Sequence, residues 1–436
     1  MVSKVLAVVL VVVAALTLWL GWVTGGFGLV SLATALGVMV MVRAVRGGRR
    51  RIAPTAFTVL VGVFGWNLVS AAAYVLPDNG ESYSTRLATW GRNHGLGPVI
   101  DELEAIRYRE PPSAEPADEL GIDLPMTTST TAPPTNGAPS TSVSVTTTTV
   151  PPGPQPPDPL TPVISPALQG EGQWFPVAQA DGYDAMWVMS MRPTAATGGI
   201  VATLVAIDQT HLRTAMFNGT EEPGGGPWRR GDRVPKELQP FLVATMNGGF
   251  RFDHIDGGYM NEGVVAKPLL DGDATLAIDR NGVMRLGVLG RDIVDDGSWE
   301  SLRQNLWLIV DNGRSNVQAG IDNGVWWGAD FGNEVYVKRS GVCELSDGRL
   351  AYALVDQVDA EQFAQALVAV GCVRAMQLDI NADWPSFLVY DWDGDEATGT
   401  FVDKRLSGYT KRYLQGSTKE FFAFFDSTEL PKDVTI

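Results

Sequence analysis

A chain of 436 residues is too long for one compact core, so two or more regions are expected. Its formal net charge of −16 argues against a nucleic-acid partner, because binding to phosphates needs a basic face. Two cysteines, Cys343 and Cys372, and three scattered histidines, His94, His211 and His254, give no zinc-type array.

The first region is apolar. No charge occurs from Val5 to Val42, a run too long for a single membrane helix of about 20 residues. The break Thr24-Gly25-Gly26-Phe27-Gly28 divides it into helices near Val5–Val23 and Leu29–Val42. Arg43, Arg46, Arg49, Arg50 and Arg51 follow, and Ile52–Pro77 is a third uncharged stretch. Residues 1–77 are therefore expected to be a three-helix transmembrane region and not a cleaved signal peptide. The arginine cluster places that loop in the cytoplasm and everything after Pro77 outside, so the lipid bilayer is one expected partner.

Residues 78–110 read as a juxtamembrane helical segment, broken at Gly95-Leu96-Gly97-Pro98. Residues 111–169 are rich in Thr, Ser and Pro and read as an extended, disordered linker. The remainder, 170–436, is the globular domain. Its fold class is α+β: a strand-rich, mixed-sheet domain with few helices. Short runs such as Leu212–Phe217, Phe241–Met246, Thr275–Ile278 and Phe421–Phe425 are strands, punctuated by Gly, Asn and Asp. Asp279-Arg280-Asn281-Gly282 and Ser346-Asp347-Gly348 predict hairpin turns. One helix is clear: Asp359 and Gln362 form a capping-box pattern, and Gly371 closes the C-terminal end.

That helix leads into Met376-Gln377-Leu378-Asp379-Ile380-Asn381-Ala382-Asp383-Trp384, where a buried apolar strand runs out into polar side chains. Polar groups there are costly unless partnered or used, although a simple polar strand cap would read the same way. Three other segments stand out: Met246-Asn247-Gly248-Gly249-Phe250, Asp311-Asn312-Gly313, and Lys338-Arg339-Ser340-Gly341-Val342 followed by Asp347-Gly348. Each alone has a plain alternative: a tight turn, a type I′ hairpin, a solvated strand end.

In order and spacing these segments resemble the phosphodiester glycosidase family over residues 170–430. That family has an N-G-G-F motif after a strand, an R-T/S-A/G-I/V-G strand with a D-G turn, a helix ending in G-A/C, and an L-D-G-G-G-S loop. Asn247-Gly248-Gly249-Phe250, Arg339-Ser340-Gly341-Val342 with Asp347-Gly348, and Leu378-Asp379 match in turn. The glycines after the aspartate are replaced by Ile380-Asn381-Ala382-Asp383, which marks a divergent, bacterial-type branch.

The resemblance implies hydrolysis of a sugar-1-phosphodiester or a related cell-envelope glycan, with a glycan or sugar-phosphate as substrate. Cleavage at an anomeric carbon develops oxocarbenium character, which a carboxylate stabilises or attacks. Asp379 is the candidate nucleophile or base, Arg339 the candidate phosphate clamp, and Glu262 a second carboxylate. Asn247, Gly248, Gly249, Asn312, Asn381, Asp383 and Trp384 are candidate substrate-binding residues. No cofactor is expected. Asp379, Asn381 and Asp383 begin like a calcium loop, but Trp384 stands where that loop needs Gly; Asp391, Asp393, Asp395 and Glu396 also miss the pattern. A non-catalytic carbohydrate binder and a metal-dependent phosphodiesterase are the alternatives. No G-x-S-x-G elbow occurs. An external compartment would permit a Cys343–Cys372 disulfide.

Overall fold

The computed structural model describes residues 65–76, 83–96, 99–100, 103, 110–122, 153–317, 327, 336–380 and 384–430. The chain forms two compact units, Met1–Arg109 and Glu110–Ile436.

In the first unit, residues 65–75 are helical and helix α1 spans Tyr83–Gly91. It ends in a kinked turn, Arg92–Leu96, where Gly95 takes φ +82°. This is the expected break, made at a residue for which left-handed φ costs little. The two membrane helices expected at Val5–Val23 and Leu29–Val42 lie outside the described residues, as does the first half of the third. Among the described residues no helix is long and apolar enough to cross a membrane.

The second unit is built of strands: β1 (Phe175–Ala180), β2 (Tyr183–Met191), β3 (Ala202–Ile207), β4 (Leu212–Phe217), β5 (Leu242–Asn247), β6 (Tyr259–Asn261), β7 (Val264–Lys267), β8 (Ala274–Asp279), β9 (Met284–Val288), β10 (Trp299–Gln304), β11 (Leu308–Asp311), β12 (Arg314–Ser315), β13 (Val337–Leu345), β14 (Leu350–Val358), β15 (Cys372–Gln377), β16 (Phe387–Trp392), β17 (Ala397–Phe401) and β18 (Phe421–Asp426). Helix α2 (Ala360–Ala369) and the short α3 (Arg412–Gln415) complete it. Three sheets form, with strand orders β1-β2-β3-β14-β13-β15-β11-β12, β7-β6-β10-β8-β9 and β17-β16-β5-β18-β4.

Every ladder among these strands is antiparallel, so the mixed sheet expected from the sequence is corrected. The reason lies in the β14–α2–β15 crossover. β14 and β15 run in the same direction, but both pair antiparallel with β13, which lies between them. The helix therefore bridges two like-directed strands without creating a parallel ladder.

The three sheets share one core. Leu350, Tyr352 and Leu354 of β14, Met246 of β5, Phe422 and Phe424 of β18 and Leu276 of β8 all belong to it. Alternation along each strand sends the other residues to a second layer. On β14 these are Ala351, Ala353 and Val355, which pack under Phe363 and Leu367 of α2. On β18 they are Phe421, Ala423 and Phe425, which pack with Tyr413 and Leu414 of α3. The Phe421–Phe425 run lacks alternation because both of its faces are buried.

Helix α2 carries the capping box read from the sequence. The Asp359 carboxylate accepts from Gln362 N at 2.7 Å, and the Gln362 side chain accepts from Asp359 N at 3.2 Å. Gly371 takes φ +91° at the helix end.

The ends of the expected linker belong to the domain. Leu120 and Ile122 are buried in the shared core, and Lys404 N donates to Gly121 O at 2.7 Å. Leu160 N donates to Gly172 O at 2.9 Å. The apolar Leu120, Ile122 and Leu160 interrupt the Pro-rich composition, and burying them outweighs the cost of ordering the chain around them. Residues 123–152 of the linker lie outside the described residues.

Cys343 and Cys372 are joined by a disulfide, with Cα atoms 5.6 Å apart on the neighbouring strands β13 and β15. It closes a loop with a sequence separation of 29 residues. By the chain-entropy model such a bridge contributes about 3–4 kcal/mol. Intact mass measured with and without reductant should differ by about two daltons, the two hydrogens of a reduced bridge; identical masses would exclude it.

Candidate active site

Strand ends converge on Asp379. β5 exits into Asn247-Gly248-Gly249-Phe250, β15 exits into Leu378-Asp379, and the segment Thr418-Lys419-Glu420 enters β18. β5 pairs with β18, with Phe421 opposite Asn247. This register sets Lys419 and Glu420 beside the double glycine.

Asn247 is the pin of this arrangement. Its amide donates to Gly248 O at 2.9 Å and to Ser340 Oγ at 3.0 Å. Its Oδ1 accepts from Tyr352 OH at 3.2 Å and Ser386 N at 3.0 Å. Ser340 Oγ in turn donates to Asp379 O at 2.8 Å, and Asp379 N donates to Gly248 O at 3.3 Å. Both amide hydrogens and the acceptor of Asn247 are thus committed inside the protein. It positions the loop rather than offering groups to a sugar.

Gly248 and Gly249 also have internal reasons. A Cβ on Gly248 would lie 2.4 Å from Glu420 Oε1, and one on Gly249 would lie 3.0 Å from the Arg303 guanidinium and from Asn305 Oδ1. The close approach that needs glycine is made by protein side chains. Gly249 N donates to Glu420 Oε1 at 2.8 Å, and Phe250 N donates to Asn305 Oδ1 at 2.9 Å. Arg303 binds Glu420 Oε1 through Nε at 2.6 Å and donates to Phe250 O at 2.5 Å. Glu420 Oε2 is buried without a hydrogen-bond partner among the described residues.

The Asp379 carboxylate itself is paired with the Lys419 ammonium, both side chains being nearly fully buried. Lys419 Nζ also donates to Gly249 O at 2.9 Å and lies 5.0 Å from the centre of the Trp384 ring. The Arg412 guanidinium sits 4.8 Å from the same ring. Trp384 therefore packs at the site, with two cations against its π-face.

Glu222 joins this cluster. Its Oε2 accepts from Phe252 N at 3.2 Å, its Oε1 pairs with Arg251 Nε at 3.1 Å, and its own N donates to Thr418 O at 3.0 Å. Burial pushes its carboxyl up from 4.5 to about 7; Lys419 opposes this and Glu420 adds to it. The folded protein thus holds a proton that the unfolded chain releases above 4.5. Stability from this group is full at lower pH and is lost as pH rises through about 7. Glu222→Gln should remove that loss. The thermal midpoint of the natural protein, relative to Glu222→Gln, should fall between pH 4.5 and 7; parallel pH profiles would refute the assignment.

Several expected site residues are placed elsewhere. Ser340 faces Asn247, so its strand neighbour Arg339 faces the other side of the sheet. There it donates to Gln377 Oε1 at 2.8 Å and to Val358 O at 3.0 Å. The cation at the Asp379 carboxylate is Lys419. Glu262, at φ +53°, is clamped in a separate cluster by Arg229 N and Arg230 N, each at 2.8 Å. Burial raises its pKa, but those hydrogen bonds and the Arg230 charge outweigh it and hold the carboxyl below the usual range. Asn312 takes φ +51° and Gly313 φ +68° in the β11–β12 turn, which is the plain type I′ alternative. Asn381 and Asp383 lie outside the described residues.

Among the described residues no three His, Cys, Asp or Glu side chains come together as metal ligands. In the Asp391–Glu396 segment, Asp393 Oδ1 accepts from Asp395 N and Glu396 N at 3.1 Å each, an ordinary turn between β16 and β17.

Sequence reasoning missed Lys419, Glu420, Arg303 and Glu222 as site residues. For the first two a signal exists: adjacent charges immediately before an apolar strand, the mirror of Asp379, which follows one.

Similarity to known proteins is distant. No curated protein matches the chain. The catalytic domain of zebrafish N-acetylglucosamine-1-phosphodiester alpha-N-acetylglucosaminidase, auto-inhibited by its pro-peptide, is 13% identical over 57% of this chain and 87% of its own, with a TM-score of 0.36. A hypothetical protein from Synechocystis is 10% identical over 58% of this chain and 64% of its own, with a TM-score of 0.38. The family model described as Phosphodiester glycosidase matches residues 241–379, from the residue before β5 to Asp379, and the resemblance of this chain to that family rests on this stretch.

Proposed function

We propose that the chain is a glycosidase that hydrolyses a sugar-1-phosphodiester, anchored in a membrane with the Glu110–Ile436 unit on the extracytoplasmic side. The observation that carries the reading is the Asp379–Lys419 pair, set where the family-matched strands β5 and β15 end. A carboxylate at this point can stabilise or attack a developing oxocarbenium ion. The phosphodiester leaving group is a weak base and needs little protonation. Lys419, which carries the positive charge nearest Asp379, offsets negative charge on the departing phosphate. Arg303 is paired with Glu420, and Arg251 lies against Glu222.

Two observations support the extracytoplasmic placement: the arginine cluster after the second apolar stretch and the disulfide, which persists in an oxidising compartment. The full chain should be assayed against a panel of sugar-1-phosphodiesters with and without chelator. Chelator-independent release of the free sugar is the expected result. Chelator-sensitive phosphate-ester cleavage would replace this reading with a metallo-phosphodiesterase, and saturable binding without turnover would replace it with a carbohydrate binder.

A further inference from the structure

Beyond Phe250 the loop that carries the double glycine continues along residues 252–257, and one side of this continuation opens into a cleft of about 450 Å³. That volume lies in the range of small-ligand sites. The cleft adjoins the charged cluster through Phe252. The Arg303 guanidinium lies 4.7 Å from the Phe252 ring, and the Phe252 amide is the donor bound by Glu222. Phe252 is therefore a wall common to both places.

The lining is mixed in a particular way. Trp307 lines the cleft and keeps 42% of its surface exposed. Lys267 spends two of its three hydrogens on Phe252 O, at 2.8 Å, and Ile255 O, at 2.5 Å, and among the described residues keeps one. Asp273 and Asp256 add two carboxylates near each other. Neither side chain receives a hydrogen bond among the described residues. Burial first, and the Asp256 charge second, push the Asp273 carboxyl up to about 6. The Lys267 charge opposes this shift without forming a hydrogen bond to either carboxylate among the described residues.

An aromatic face beside unpaired acceptors and one spare donor suits a ring that is apolar on its C–H face and rich in hydroxyls at its edge. Three carboxylates line the cleft, Asp253 beside His254 together with Asp256 and Asp273, and against the one ammonium of Lys267 they disfavour a phosphate or a uronate. Resting on the glycosidase reading above, we infer that this cleft binds an uncharged sugar unit of the substrate's glycan, stacked on Trp307 with its hydroxyls donated to Asp256 and Asp273. The phosphate end of the substrate then lies toward Lys419, and the cleft selects substrates that extend beyond the scissile sugar.

Titration calorimetry on the full chain in detergent tests this, using maltotriose, cellotriose and chitotriose as probes and trigalacturonate as a charged trimer of equal length. At least one neutral trimer should bind, and it should bind more tightly than trigalacturonate. Trp307→Ala should weaken that binding at least tenfold with little change in thermal midpoint, since the side chain is half exposed. Asp273→Asn, which leaves the stacking surface in place, should weaken it as well. The inference falls if no neutral trimer binds, if the charged trimer binds equally well, or if both variants bind as the natural protein does. Binding is read without turnover, so the two readings fail separately. Glycan binding at the cleft with no sugar-phosphodiester hydrolysis would end the glycosidase reading alone. Hydrolysis with no cleft binding would end this one alone.

Discussion

Asp379→Asn should lower turnover per folded molecule by about two orders of magnitude or more, the scale of removing a positioned acid, base or electrostatic group. The substitution keeps the size of the side chain and an oxygen that Lys419 can still reach, but removes the charge. Lys419 is then a buried ammonium whose other contacts are Gly249 O and the Trp384 ring. Breaking one side of a buried pair costs stability as well, so a fall in thermal midpoint by itself decides nothing. The double variant Asp379→Asn/Lys419→Met separates the effects. It removes the stranded cation, so its midpoint should recover toward that of the natural protein while turnover stays low. If Asp379 serves only to hold Lys419 and cap β15, Asp379→Asn measured per folded molecule should remain close to normal. That result would end the mechanism and move the search to Glu222 and Glu420. It would not move to Glu262, whose carboxylate is committed to Arg229 and Arg230.

The contrast between Asp379 and Arg339 shows what a single sequence can carry. Asp379 was legible because a buried apolar strand ended on a charge, and that pattern is local. The capping box at Asp359 and Gln362 and the turns at Gly282 and Gly348 were legible for the same reason. Arg339 stood in a family-like motif, but its role depended on which face of β13 it occupied, and that is set by pairing with β14 and β15. Asn247, Gly248 and Gly249 are legible as a motif, but the internal contacts that occupy them are not. The partners that explain them, Ser340, Tyr352, Glu420 and Arg303, come from four other places in the chain. Lys419 lies 40 residues from Asp379, and only the β5–β18 register brings it to the double glycine. Glu222 sits in a Gly- and Pro-rich loop where a carboxylate ordinarily reads as solvated. The family match ends at Asp379, so it covers neither Lys419 nor Glu420.

Replacing Arg303 should cost the domain much of its stability. Its side chain and that of Glu420 are both fully buried. Arg303→Met keeps much of the volume and removes every donor. Glu420 Oε1 then keeps only the Gly249 amide, while Oε2 already lacks a partner. Phe250 O and Gln304 O each lose a hydrogen bond. Stranding one member of a buried ion pair costs roughly 3–5 kcal/mol, a large share of the stability of an ordinary domain. Denaturant unfolding of the full chain should show that loss. Glu420→Gln in the Arg303→Met background removes the stranded charge and should recover part of it. Failure to recover would place the cost in the lost Phe250 and Gln304 contacts instead of the ion pair. A midpoint within experimental error of the natural protein would mean that water reaches Glu420 freely, contrary to its burial. Because Arg303 also holds the Phe250 carbonyl, the loop that presents Gly249 to Lys419 should loosen with it. Turnover should then fall even at temperatures where Arg303→Met remains folded, which ties the stability of this pair to the placement of Asp379.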